Sequence, residues 1–162
     1  MSLQKVKDPI LLELETICTS RLAMPVKFMH ANLNEANFGL DQLTASDFPV
    51  LVHVSTSRDK SKFGAGGDIS RTSTMFCLLL NRIELDTLDF KSYDLNDSVN
   101  QMRMLGENLF YWINRSTISV DGGVDDWESE NVYQKFDAHL FGVALTFDWT
   151  VDVQSSGYYN NP

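Results

Sequence analysis

Long apolar runs are missing from this 162-residue chain: the longest, Met75 to Leu80, is strand-sized. A membrane-spanning helix needs roughly 20 consecutive apolar residues, so none is expected. The start, Met1-Ser2-Leu3-Gln4-Lys5, has no apolar stretch of the signal-peptide kind, which makes the cytoplasm the expected place of synthesis. Cysteine is scarce too. Cys18 and Cys77 alone define neither a disulfide framework nor a four-ligand zinc site, and both fall inside apolar patterns, so reduced core thiols are expected. Positive charge is in short supply: 13 basic residues stand against 22 acidic ones, for a net charge of −9. Residues 1–81 hold 8 of each sign, so the whole excess lies in the second half. Phosphate contacts need clustered Lys and Arg, and that balance argues against sequence-specific nucleic-acid binding or an anionic membrane surface.

Motifs that carry chemistry are equally sparse. His30, His53 and His139 show no metal-ligand spacing, and three separated histidines read more simply as polar residues beside strands. Gly64-Ala65-Gly66-Gly67 suggests a phosphate loop but lacks the following Lys-Ser/Thr and leads into a strand-like segment, which favours a flexible loop or hairpin tip. Asp121-Gly122-Gly123-Val124-Asp125-Asp126, with Glu128 and Glu130, has oxygens enough for calcium but not the spacing of a calcium loop, and reads as a solvated acidic loop. There is no GxSxG elbow, and Cys18 sits mid-helix where a thiolate is disfavoured. The expectation is a non-enzymatic protein with no cofactor and no metal. Against it stand a small enzyme whose site converges from His53, His139 and Asp148, and an adaptor domain that takes a peptide on an open sheet edge.

What is present is a folded body of globular composition, 43% hydrophobic and 22% charged. Asp8-Pro9 ahead of Ile10, Leu11, Leu14, Ile17, Cys18 and Leu22 predicts a capped amphipathic helix ending near Ala23, before Pro25. Val26 to His30 and Phe48 to Ser55 read as strands, the second covered on both faces over part of its length. The polar segment Thr56 to Gly67 reads as a mobile loop, because few of its side chains can be buried to offset the ordering entropy. It is the candidate partner-contact loop, through Arg58, Lys60, Lys62, Phe63, Gly64, Gly66 and Gly67. A long strand from Ile69 to Ile83 follows, with an exposed Ser/Thr-rich first half and a central second half. Asp94 precedes Leu95, Val99, Met102, Leu105, Leu109 and Ile113 at helical spacing, and Gly106 on the apolar side implies close helix–sheet approach. Phe141, Val143, Leu145, Phe147, Trp149, Val151 and Val153 alternate with polar or small residues, the mark of a long antiparallel strand with one buried face. A partner strand is expected near Val132 to His139, after an acidic loop from Asp121 to Glu130.

Together these predict one α+β domain over residues 1–153, with a mainly antiparallel or mixed sheet of about four to six strands packed by two amphipathic helices. Residues 154–162 form a flexible tail whose Tyr158 and Tyr159 are candidate contacts for a neighbouring subunit.

In its order of elements the chain resembles the tail-terminator-like neck and tail-completion proteins of tailed bacteriophages, over roughly Asp8 to Val153. The segments that carry the resemblance are Phe48-Pro49-Val50-Leu51, Ser73 to Leu80 followed by Leu85-Asp86-Thr87, Met102 to Ile113, and Gly142 to Phe147. None is a residue signature, so no functional residue carries over. The resemblance implies a homo-oligomeric ring, commonly a hexamer, that joins the tail tube to the connector proteins in the virion neck after assembly in the host cytoplasm. On that view the Thr56 to Gly67 segment orders on meeting a partner, and the acidic second half contributes to a lumen wall that does not retain passing DNA.

Overall fold

The structure, a computed structural model, describes residues 8–32, 39–54, 58–82, 94–135 and 140–153. Helix α1 spans Pro9–Ser20. The Asp8 carboxylate accepts from the Ile10 N–H at 3.0 Å, and Pro9 occupies the first turn, where no N–H is needed. The helix closes on the Arg21 N–H, which donates to the Ile17 carbonyl, slightly earlier than Ala23. Ile10, Leu14, Ile17 and Cys18 form its buried stripe.

Six strands make one mixed sheet: β1 (Lys27–Ala31), β2 (Val50–Val54), β3 (Asp59–Phe63), β4 (Ile69–Arg82), β5 (Trp127–Lys135) and β6 (Leu140–Asp152). Their order is β1-β2-β4-β6-β5, and β3 pairs with the first half of β4 beyond the end of β2. Only β1 and β2 run parallel; the other pairings are antiparallel. This is the expected α+β class with an open sheet. Helix α2 (Asp94–Asn114) lies over β6 and β4.

Apolar side chains pack against both faces of the sheet. On one face, α1 and α2 cover Leu51, Cys77, Leu79, Leu145, Phe147 and Trp149. On the other, a smaller cluster joins Val50, Val52, Leu78 and Leu80 to Leu40, Val132 and Leu140. That explains the near-continuous apolar sequence of β2, whose first four residues are all buried. Along β6 the odd positions from 141 to 151 are buried, as the alternation requires. A Cβ at Gly106 would lie 3.3 Å from Leu145 Cδ1, so the helix does approach the sheet closely there. A Cβ at Gly142 would run into the Leu79 carbonyl, which makes glycine obligatory in the middle of an otherwise bulky strand. Cys18 and Cys77 are free and buried, and burial pushes the Cys18 thiol up to about 12 and Cys77 higher still. Among the described residues no helix is long and apolar enough to cross a membrane.

Two segments differ from the sequence expectation. Asp59 to Phe63 is not a loop but strand β3, and Trp127 to Glu130 opens strand β5 instead of closing an acidic loop. Both are edge segments whose side chains have little core to face. Their strand state comes from backbone pairing with β4 and β6, which composition does not report.

Candidate contact surface

β4 is 14 residues long, and β2 occupies only its second half, from Val50 opposite Leu80 to Val54 opposite Phe76. β3 continues along the first half, from Asp59 opposite Ser73 to Phe63 opposite Ile69. The result is a hairpin arm whose tip is the glycine run: the Gly64 N–H donates to the Asp68 carbonyl at 2.7 Å, and the Gly67 N–H to the Gly64 carbonyl at 3.1 Å. Gly67 has φ +83°, a conformation that glycine adopts without strain. The seven contact candidates thus fall into three groups. Arg58 leads into β3, Lys60, Lys62 and Phe63 ride on it, and Gly64, Gly66 and Gly67 turn it.

All five β3 residues are exposed, and Phe63 is 77% exposed. Because successive side chains of a strand point to opposite faces, Lys60 and Lys62 share one face of the sheet while Asp59, Ser61 and Phe63 share the other. Asp59 is held there by the Ser73 hydroxyl, which donates to its carboxylate. Lys62 meets Asp121 at 3.4 Å, a pair so exposed that it adds little to stability. No described strand pairs with the outer side of β3.

At the opposite edge of the sheet, no described strand pairs with the outer side of β5. Trp127 stacks on Phe110 of α2 with ring centroids 4.2 Å apart, yet remains 39% exposed. Arg103 of α2 donates to the Asn131 side chain, whose amide donates in turn to the Tyr133 hydroxyl at 3.1 Å. Tyr133, Met104 and Tyr111 are exposed in the same region, with the Arg115 guanidinium 3.5 Å above the Tyr111 ring. Glu128 and Glu130 project from the other face, and both are exposed. The sequence places this edge strand from Val132 onward and hides its start, because Trp127 to Glu130 are exposed and carry no apolar alternation.

A second constellation lies under the N-terminus of α1. Parallel pairing sets His30 of β1 beside His53 of β2, and the two rings meet edge to edge through Nδ1 at 2.8 Å, one donating and one accepting. They border a recess of about 170 Å³ with Asp8, Asp59 and Ser73. Burial, and then the neighbouring His30, push His53 down to about 4, against a smaller upward pull from Asp8. His53 Nε2 is buried without a partner. Chemically the recess holds a structural polar knot. Ser73 gives its proton to Asp59, both Nδ1 atoms are engaged with each other, and Asp8 is committed to Ile10 and to Arg71 at 3.1 Å. Among the described residues no group of three or more His, Cys, Asp or Glu is placed to hold a metal ion.

The convergent enzyme site does not form as envisaged. Registered partners on adjacent strands share a face, so His53, opposite Cys77, lies on the helix-covered face, and Asp148, opposite Thr74, lies on the other, where it accepts from the Thr74 hydroxyl at 2.8 Å. His139, Tyr158 and Tyr159 fall outside the described residues. In comparison with known proteins, no protein-family model matches the chain, and no curated protein is significantly similar to it.

Proposed function

We propose that the chain is a non-catalytic structural protein that assembles with copies of itself into a ring, as tail-terminator and neck proteins of tailed bacteriophages do at the junction of tail tube and head connector. The observation that carries the reading is the β3 arm: a fully exposed edge strand that ends in a 77% exposed phenylalanine. Large exposed apolar side chains on a strand with a free outer edge invite association with another chain. The acidic residues of the second half fit a wall along which DNA passes. Asp148 and Asp152 lie on the face of the sheet opposite α1 and α2, where carboxylates repel a polyphosphate rather than hold it.

Two measurements test the reading. Sedimentation of the purified chain should show a defined oligomer, and labelling of virions with an antibody to the chain should mark the neck. A chain that stays monomeric at high concentration and labels no virion would sink the proposal. Neutralising Asp148 and Asp152 together should slow genome passage; unchanged passage would remove the lumen role alone.

A further inference from the structure

Among the described residues β3 and β5 offer complementary open edges, and we infer that β3 of one copy adds to β5 of the next as an antiparallel strand, with Lys60 opposite Glu130 and Lys62 opposite Glu128. The inference rests on the assembly reading above and names the surface through which it works.

Direction comes first. β3 runs antiparallel to β4, β4 to β6 and β6 to β5, so β3 and β5 of one chain point in opposite directions. A second copy set beside the first by rotation about an axis along the strands keeps both its direction and its faces. Its β3 then meets β5 in antiparallel fashion, with like faces on the same side.

Backbone polarity is next. In an antiparallel ladder, alternate residues send their N–H and C=O toward one neighbour and the residues between send theirs toward the other. Gly64 bonds to Asp68 of the β4 side, which places the even residues of β3 toward β4 and leaves Asp59, Ser61 and Phe63 facing outward. On β6, Thr150 donates toward the β5 side, to the Gly123 carbonyl. By the same alternation Thr146 and Ala144 face β5, and their partners Glu128 and Glu130 face inward. Trp127, Ser129 and Asn131 are therefore the outward residues.

One register satisfies direction, facing and backbone polarity together. With Lys60 opposite Glu130, Phe63 falls opposite Trp127, Ser61 opposite Ser129 and Asp59 opposite Asn131. The outward-facing residues of both strands then coincide and can exchange backbone hydrogen bonds. On the face opposite α1 and α2 two Lys–Glu pairs form, and on the other Phe63 lies against Trp127 and the apolar flank of α2. A slip by one residue would set outward backbone groups against inward ones and lysines against the aromatic face. Lys62 exchanges its exposed bond to Asp121 for Glu128, at little cost.

The contact is head to tail, so it closes into a ring when the rotation permits. A five-residue strand is small beside interfaces of roughly 1,200–2,000 Å². A single contact is consequently weak, and closure, which holds each copy at both edges, provides the stability.

Charge reversal tests this directly. Lys60→Glu with Lys62→Glu makes both edges acidic, and Glu128→Lys with Glu130→Lys makes both basic. Each double variant should keep the far-ultraviolet circular dichroism of the parent and self-associate about tenfold or more weakly in sedimentation velocity. An equimolar mixture of the two should assemble again, since each then offers the edge that the other lacks. The register is read separately by Ser61→Cys with Ser129→Cys in one chain, which should yield a ladder of disulfide-linked oligomers under oxidation. Parent oligomers that survive both reversals, or a mixture that fails to recover, overturn the edge contact and leave the assembly reading standing. A parent chain that is monomeric throughout overturns both.

Discussion

Along β4, the half from Met75 to Leu80 and the half from Ile69 to Thr74 sit in different surroundings, although one ladder to β6 runs through both. In the second half nearly every side chain is buried, under α2 on one face and against Leu40 and Val132 on the other. In the first half only Ser73 is buried, and the strand's neighbour β3 is exposed throughout. The difference shows that a strand can be anchored at one end by the hydrophobic effect and continued at the other by backbone pairing. The anchored end makes the fold; the continued end carries an exposed arm.

The largest effect should come from the anchored half. Leu79 is fully buried, so Leu79→Ala is expected to cost about 2–5 kcal/mol in urea unfolding, through lost transfer energy and the cavity left behind. A loss below about 1 kcal/mol would break the comparison, because such values belong to a site that can collapse or is already wet.

Acid should weaken the join between the halves, where His53 lies. Its folded value near 4 is below the unfolded value of about 6.5, so the unfolded chain takes up the proton first. This contribution to stability is complete above pH 6.5, declines as the pH falls toward 4, and is flat below. The loss is on the order of 3 kcal/mol, read as the difference in urea midpoint slopes between the parent and His53→Gln across that window. Equal slopes would mean that the His30–His53 contact is not kept in solution.

Smaller effects sharpen the contrast. Gly106→Leu should cost about 1–3 kcal/mol by overpacking against Leu145. Gly106→Ala should be nearly neutral, since the helix gains roughly 1 kcal/mol and the side chain it meets is a flexible leucine end. On the arm, Phe63→Ser should shift thermal stability by no more than about 0.5 kcal/mol while reducing self-association. A clear loss of stability there would show that the arm is part of the core after all.

These contrasts also account for what the sequence could reveal. β6 and both helices were legible because their burial is one-sided, which prints a period of two or of about 3.6 onto the residues. Gly106 stood out because a glycine on an apolar helix face needs a close neighbour, and Leu145 is that neighbour. β3 and the start of β5 were hidden. A strand held by hydrogen bonds alone has free choice of side chain, so Asp59-Lys60-Ser61-Lys62-Phe63 and Trp127-Glu128-Ser129-Glu130 look like loops. The His30–His53 contact was hidden for a different reason, since it depends on the register of a parallel pair joined by a long connection. Composition alone singles out the contact candidates on β3; that they share an edge, with lysines and phenylalanine on opposite faces, only the pairing reveals.

The ladder between β4 and β6 runs through thirteen registered pairs, from Ser70 opposite Asp152 to Arg82 opposite Leu140. Its hydrogen bonds lie across the strands, so a tug on the arm along the strand axis loads them in shear, all at once, rather than peeling them one by one. Tension applied at Phe63 would thus be carried straight into the rungs over Leu79 and Leu145. The strand that carries the arm is also the molecule's tie rod.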